Sequence, residues 1–209
     1  MDILESLQWR YATKKFDSEF ELNSEQLDIL KESFNLTATS FGLQPIKLIV
    51  IKNKELRESL VSHAYGQRQV ADASHLFVIC IQKEASVEDV ENYFKLVKEI
   101  RNTPDDILAP FKDYLTGTFE KTEQEELLRA AKSQAYIALG NLLTVCATQK
   151  IDSCPMEGFN PDKFDKVLNL DQHNLKSVLL LPVGKRAEDD YMAELKKVRK
   201  PLDSIILEM

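Results

Sequence analysis

The sequence has few of the residues and motifs that mark common binding sites. Its three cysteines and three histidines are not spaced as metal ligands, and an odd number of cysteines fits no complete disulfide framework. It contains no Gly-x-Gly-x-x-Gly and no Gly-x-x-x-x-Gly-Lys-Ser/Thr. The usual dinucleotide and P-loop motifs are therefore excluded, and the cysteine usage indicates a reducing, cytoplasmic setting.

Long apolar runs and an excess of positive charge are also lacking. No run reaches the length of a membrane-spanning helix, and the first residues lack the pattern of a signal peptide, so we expect no membrane segment. The net charge of −7 argues against nucleic acid as a partner. With 44% hydrophobic and 29% charged residues, the chain is expected to form one globular domain, residues 1–209.

Three apolar stretches, residues 46–52, 75–82 and 177–182, are typical of interior strands. The second is almost continuously apolar, which predicts a central strand covered on both faces. Six or seven predicted helices occupy most of the remaining chain, and the connections between strands are unequal in length. This pattern favours an α+β fold over a doubly wound sheet.

One long helix is predicted to organise the chain. Thr122 and Glu125 have the spacing of a capping box, and no helix breaker follows until Lys150. Residues 135–146 are apolar on nearly every face of this helix. Such a helix is buried on all sides, so we expect it to be the central core helix.

The segment after this helix has the composition of a shaped support for a cofactor. Pro155 restricts the backbone, Gly158 permits unusual dihedral angles, and Glu157 supplies a carboxylate. Cys154 is a candidate nucleophile next to Glu157, although an inert thiol is the better interpretation. His75 opens a predicted interior strand, where a structural imidazole is favoured over a ligand.

Two pairs of basic residues lie near the ends of the chain, Arg10 with Lys14 and Lys197 with Arg199. Several fixed cations hold a phosphate dianion best, and arginine adds bidentate hydrogen bonds. Each pair alone is better explained as a solvated face. If the fold brings both pairs together, an anion site becomes the stronger interpretation.

Both ends of the chain also carry apolar residues. Ile3, Leu4 and Leu7 are predicted to face inward from a short first helix. Residues 202–207 are largely apolar after a highly charged stretch, and they are too few to fold alone. We expect this arm to pack on another surface, such as a second subunit.

Short segments along the chain, taken in order, identify a family resemblance. They are Arg-Tyr-Ala-Thr-Lys at 10–14, Thr-Ser-Phe-Gly-Leu-Gln-Pro at 39–45, Asp-Ala-Ser-His at 72–75, Gly-Asn-Leu-Leu at 140–143, Pro-Met-Glu-Gly at 155–158 and Lys-Val-Arg at 197–199. With these segments the chain resembles the nitroreductase family of FMN-dependent NAD(P)H oxidoreductases over essentially its whole length. The resemblance implies a mixed, largely antiparallel sheet wrapped by helices. It also implies a long central helix at a homodimer interface and a C-terminal arm that embraces the partner.

The resemblance further implies which residues hold FMN. Those at the phosphate are Arg10, Tyr11, Ala12, Lys197 and Arg199. Lys14 approaches the N1–C2=O edge of the flavin, where an ammonium stabilises the negative charge of reduction. The residues along the ring are Pro155, Met156, Glu157 and Gly158, with a backbone N–H of Glu157 or Gly158 directed at N5 or O4.

The remaining implied contacts come from other loops. Thr39, Ser40, Gly42 and Gln44 line the part of the pocket that belongs to the other subunit. Gln67 and Gln69 stand where the best-known branch of the family has an Asn and a Lys, which implies amide contacts without a second positive charge. Arg68 between them is expected to point away. Candidates for stacking on a planar acceptor, or else for core packing, are Phe41, Tyr114 and Phe119.

The activity implied by the resemblance is a ping-pong cycle. FMN takes a hydride from NADH or NADPH at N5 and then reduces a nitroaromatic, a quinone or a similar planar acceptor. Lys14 and Glu157 are the residues expected to assist directly. The alternatives are dihydropteridine or enone reduction on the same scaffold, a non-enzymatic flavin-binding protein, and a helical interaction domain without a cofactor.

Overall fold

A computed structural model describes residues 2–209. Four strands form one sheet: β1 (Ile46–Ile51), β2 (His75–Gln82), β3 (Asp152–Ser153) and β4 (Leu175–Gly184). The strand order is β1-β2-β4-β3, and every neighbouring pair is antiparallel. The three predicted strands are therefore confirmed, although β1 lies at an edge of the sheet and is only partly buried. β3 was not predicted, because two residues carry no periodic signal.

The helices surround this sheet, as expected for an α+β fold. They are α1 (Ile3–Trp9), α2 (Ser24–Asn35), α3 (Lys54–Leu60), α4 (Gln69–Asp72), α5 (Val87–Arg101), α6 (Asp105–Lys121), α7 (Gln124–Thr148) and α8 (Pro161–Val167). The largely antiparallel sheet is confirmed, and its one parallel feature is an isolated bridge between Ala12 and Ser153. None of the helices in residues 2–209 combines the length and apolarity needed to cross a membrane.

The core lies on both faces of β2. Alternate side chains of a strand point to opposite faces. Leu76 and Val78 pack in one buried cluster with Phe164 of α8, while Phe77 and Ile79 pack in the other with side chains of α7. The central position predicted for this strand is confirmed.

The long helix differs from its prediction at its start and on one face. Thr122 ends α6, where its hydroxyl donates to the Thr118 carbonyl at 2.8 Å, so the predicted capping box with Glu125 is wrong. Within α7, Leu142 is fully buried, but Tyr136 and Ile137 are 40% and 50% exposed. The helix is therefore not buried on all sides by its own chain, because the sheet covers only one of its faces.

Both ends of the chain leave apolar side chains uncovered. In α1 the buried side chain is Ser6, and Leu4 is 67% exposed, so the prediction that its apolar residues face inward is wrong for a single chain. In the C-terminal arm Ile206 and Leu207 are 54% and 77% exposed. Uncovered apolar surface of this kind marks interaction sites when it is contiguous.

Candidate functional site

The fold brings the two basic segments together. Residues 8–12, which end α1 and follow it, and residues 192–199 line a groove of about 720 Å³. Arg10, Lys197 and Arg199 all lie in this lining, and the Lys197 ammonium donates a hydrogen bond to the Arg10 carbonyl. We call this the cation groove. Three of the four cations that the sequence proposed for an anion site therefore share one groove, and Lys14 does not line it.

Positive charge is in excess in the cation groove, where Glu194 is the acid of the lining and Lys196 adds a fourth cation. Across residues 2–209 none of Arg10, Lys197 and Arg199 has a carboxylate within 4.0 Å, and the buried Arg10 Nε has no hydrogen-bond partner. Burial, and then the charge of Arg199, lower the pKa of Arg10. Burial, and then Arg10 and Arg199, lower the pKa of Lys197. A bound dianion would relieve both the repulsion and the unmet hydrogen-bonding capacity.

The loop Pro155–Gly158 lies beside the segment that carries Arg10 and Lys14. Thr13 N–H donates to the Ser153 carbonyl at 3.3 Å, so the N-terminal segment runs along β3 just before this loop. Met156 exchanges backbone hydrogen bonds of 2.9 and 3.0 Å with Leu180 of β4, and its side chain is buried. The sheet therefore fixes the start of the loop. The Met156 N–H is used in the sheet and is not available to a ligand.

The exposed tip of this loop keeps two donors free. Among residues 2–209 the backbone N–H groups of Glu157 and Gly158 have no protein acceptor, as an N–H directed at a ligand requires. Side chains anchor the tip from both sides: Gln67 Nε2 donates to the Gly158 carbonyl at 2.7 Å, and the Tyr136 hydroxyl donates to the Glu157 carboxylate. Gln67 thus supports the loop through protein contacts.

The remaining polar residues near the loop divide into two groups. Lys14 is half-buried, and across the described chain no carboxylate lies within 4.0 Å of its ammonium. Arg68, by contrast, pairs with Glu58 and Asp72, which agrees with its predicted direction away from the site. Gln69 is buried at the start of α4. Lys14 therefore remains the cation available next to this loop.

The loop 39–44 lies elsewhere in the same chain. Ser40 N–H donates to Gln134 Oε1 at 2.8 Å, and Thr39 Oγ1 accepts from Gln44 N–H at 3.1 Å; no residue of this loop lines the cation groove. Phe41 and Gln44 have φ of 57° and 47°, alongside Gly42 at 76°. Residues other than glycine rarely adopt a positive φ. Such strained backbone conformations are often found at binding sites. The assignment of this loop to the pocket of the other subunit stays a prediction.

The aromatic residues predicted to stack on an acceptor differ in their exposure and packing. Phe41 and Tyr114 are 47% and 61% exposed, and both contact Phe111, at centroid distances of 6.1 and 6.4 Å. Phe119 packs between α5 and α6 against Phe94 and also lines a second cavity of about 250 Å³. The lining of that cavity is mainly apolar and includes Asp89 and Glu126 but no lysine or arginine, so it does not suit a phosphate.

The alternative candidates from the sequence have structural roles. Burial raises the pKa of Cys154, as expected for an inert thiol. His75 is buried, its Nδ1 lies 2.9 Å from the Ser74 hydroxyl, and burial lowers its pKa. Across residues 2–209 no group of His, Cys, Asp or Glu is arranged to hold a metal ion.

Sequence reasoning missed the polar network behind the cation groove. Arg186 Nε donates to Asp152 Oδ1 at 2.7 Å, and its guanidinium lies 4.3 Å from the Trp9 ring centroid and 4.6 Å from that of Tyr11. The buried Asp190 accepts hydrogen bonds from the same N-terminal segment. No spacing rule could have found these contacts, because their partners are far apart in sequence and Asp190 follows two similar acidic residues.

Comparisons with known proteins identify the family of the chain. The nitroreductase family model matches residues 7–185, so the chain belongs to the nitroreductase family, whose members are oxidoreductases. A relative from Staphylococcus epidermidis, provisionally named an NAD(P)H nitroreductase, is 32% identical over 212 residues, covering 98% of this chain and 95% of the relative.

Solved structures share the fold. One, from Exiguobacterium sibiricum, is provisionally described as a nitroreductase in complex with FMN. It has a TM-score of 0.87 at 20% identity and covers 100% of this chain and 98% of its own. A second, an enone reductase of gut-bacterial fatty acid metabolism, has a TM-score of 0.82 at 17% identity, with coverage of 100% and 98%. At these identities the likeness shows the fold alone.

The contact between Tyr136 and Glu157 predicts a measurable shift in tyrosine ionisation. The hydrogen bond to Glu157, and then burial, raise the pKa of Tyr136. In a Glu157→Gln variant the negative acceptor is gone, so the pKa should fall toward about 10. NMR titration of labelled tyrosine measures the change, with Glu120→Gln as the control at an exposed position on α6. An unchanged Tyr136 pKa in Glu157→Gln would show that the contact is not formed in solution.

Proposed function

We propose that this protein is an FMN-dependent NAD(P)H oxidoreductase that reduces planar acceptors such as nitroaromatics and quinones. The observation that carries the proposal is the cation groove, whose excess positive charge lies next to a loop with two free backbone donors. The provisional name of the Staphylococcus relative and the FMN complex of the structural neighbour support the same cofactor and electron donor.

The residues of the cation groove fit the FMN phosphate. Arg10, Lys197 and Arg199 offer fixed cations, and the unpartnered Arg10 Nε is a buried donor without an acceptor. Charge-assisted hydrogen bonds to phosphate are the strong ones, and arginine forms them in pairs. Tyr11 and Ala12 complete the wall of the groove on its N-terminal side.

The loop Pro155–Gly158 and Lys14 fit the flavin ring. When bound, FMN supplies the redox chemistry, accepting a hydride from NAD(P)H at N5 and returning two electrons to the acceptor in a ping-pong cycle. The free N–H groups of Glu157 and Gly158 would orient the ring, and the Lys14 ammonium would stabilise negative charge at the N1–C2=O edge. No side chain is required as an acid or base for hydride uptake.

We further propose that the complete site needs two copies of the chain, each acting as a single FMN-binding domain. The loop 39–44 and Phe41 do not reach the cation groove of their own chain, and Tyr136 and Ile137 leave an apolar face of α7 uncovered. In a homodimer built on α7 this loop would close the groove of the second subunit. The acceptor would then stack on Phe41 and Tyr114.

A visible spectrum of the purified protein, followed by anaerobic titration with NADH and NADPH, tests the function. We expect a bound flavin that is bleached by NAD(P)H and reoxidised by a nitroaromatic or quinone. A flavin that NAD(P)H does not reduce would indicate a non-enzymatic flavin protein. A preference for dihydropteridines or enones as acceptors would indicate the alternative reductases, and a protein that binds no FMN would refute the proposal.

Changing Lys14→Met tests the role of this ammonium in electron transfer. The variant keeps the aliphatic stem and removes the charge, so oxidised FMN should still bind. Its two-electron potential should fall by tens of millivolts, since about 30 mV corresponds to about 1.4 kcal/mol. Potentiometric titration measures the change, and Lys15→Met is a matched control because Lys15 is exposed and paired with Asp189. Equal potentials in both variants and the wild type would show that the Lys14 ammonium does not stabilise the reduced flavin.

The proposed homodimer predicts a stable dimer at micromolar concentration. Obligate interfaces typically bury more than about 2,000 Å² of accessible surface and are more hydrophobic than transient ones. An Ile137→Asp variant should dissociate into monomers and lose FMN, because a charge would enter that interface. Sedimentation velocity measures the assembly, and Ile100→Asp, at a 74% exposed position of α5, is the matched control. A stable, FMN-loaded monomer of the wild type would contradict the two-subunit site.

A further inference from the structure

We propose that Asp190 is the positioning residue of the cation groove: it sets the N-terminal and C-terminal walls at the spacing that a phosphate needs. This inference rests on the proposed function. The Asp190 side chain is 3% exposed, yet it is not part of an ion pair in the described chain. Its carboxylate is satisfied by hydrogen bonds alone.

The hydrogen bonds to Asp190 come from both walls of the groove. Oδ2 accepts from the Tyr11 hydroxyl at 2.9 Å and from the backbone N–H groups of Lys14 and Lys15 at 2.8 and 3.2 Å. Oδ1 accepts from the backbone N–H of Met192 at 3.1 Å. One carboxylate therefore ties the segment of Arg10 and Lys14 to the start of the segment that carries Lys197 and Arg199.

The bonds also fix the local backbone on each side. The Asp190 carbonyl accepts a hydrogen bond from Ala193 N–H at 3.0 Å, and Asp190 N–H donates one to the Ala187 carbonyl at 3.2 Å. These two bonds make a tight turn at the base of the C-terminal wall. The Tyr11 ring is held between this carboxylate and the guanidinium of Arg186, 4.6 Å from its centroid. Within residues 2–209, the one other hydrogen bond between the two walls runs from the Lys197 ammonium to the Arg10 carbonyl.

Asp190 performs this role without neutralising the cations. Burial pushes the pKa of its carboxyl up, but hydrogen bonds from Lys14, Met192, Lys15 and Tyr11 outweigh burial and hold that pKa below its ordinary value. The carboxylate is thus ionised at neutral pH. No side-chain nitrogen of Arg10, Lys197 or Arg199 lies within 4.0 Å of it, so their charge remains available for an anion.

Asp189 offers a matched control one residue earlier. Its side chain is 74% exposed and pairs only with the exposed Lys15, at 2.6 Å. Changing Asp189→Asn removes the same charge from nearly the same place in the chain. It leaves the contacts between the two walls intact.

The experiment compares the affinities of the full-length chain for FMN and for riboflavin, which lacks the phosphate. Fluorescence titrations use flavin-free wild type, Asp190→Asn, Asp189→Asn and Arg199→Ala, and thermal denaturation checks that each is folded. Asp190→Asn should weaken FMN binding by about tenfold or more, equal to about 1.4 kcal/mol, with riboflavin affinity changed by less than about threefold. Arg199→Ala should do the same, and Asp189→Asn should match the wild type.

Each other result counts against the inference. An Asp190→Asn protein that keeps the wild-type preference for FMN would overturn it, and so would an equal loss of both affinities, which indicates a general loss of structure. If Asp190→Asn does not fold, Tyr11→Phe removes the hydrogen bond from the Tyr11 hydroxyl to Asp190. It should lower the preference for FMN over riboflavin by about threefold, which is within the usual contribution of one hydrogen bond. An unchanged preference there would overturn the inference. A wild type without preference for FMN would instead overturn the proposed function.

Discussion

The packing of α7 against the sheet is the contact on which the rest of the structure depends. Phe77 and Ile79 of β2 meet Leu142 of α7 in one fully buried cluster, where truncating a large apolar side chain typically costs about 2–5 kcal/mol. The same packing places both ends of α7. Ile151 N–H donates to the Cys146 carbonyl at 2.8 Å, which turns the chain directly into β3 and the loop that follows.

The site illustrates two ways of placing charge in one fold. Arg186 and Asp152 are largely buried but paired, and aromatic rings flank the guanidinium, so this charge is compensated. Within residues 2–209, Arg10 and Lys197 have no carboxylate within 4.0 Å, and their repulsion disfavours the empty site. Buried ions retained without a partner mark functional positions more often than structural ones. The compensated pair supplies a rigid wall, and the cation cluster supplies affinity for an anion.

A single chain leaves several features without an explanation of their own. The strained backbone at Phe41, the uncovered face of α7 around Ile137 and the exposed apolar arm near Ile206 each carry a cost in isolation. A second copy would cover the apolar surfaces and give loop 39–44 a pocket to close. The proposed dimer would therefore account for separate observations that are far apart in the sequence.

The sequence by itself determined the main strands, the α+β class and the family, because apolar periodicity and short motifs are local signals. It also identified the candidate cations, although not that they meet. Only the tertiary structure decided that Arg10, Lys197 and Arg199 share a groove and that, within residues 2–209, none of them is in an ion pair, since proximity across the chain has no local signature. It likewise decided which face of α7 is covered and which of the acidic residues before Met192 is buried. Burial depends on what packs against a residue, and Asp189 and Asp190 are indistinguishable until the fold puts one carboxylate in water and the other between two walls.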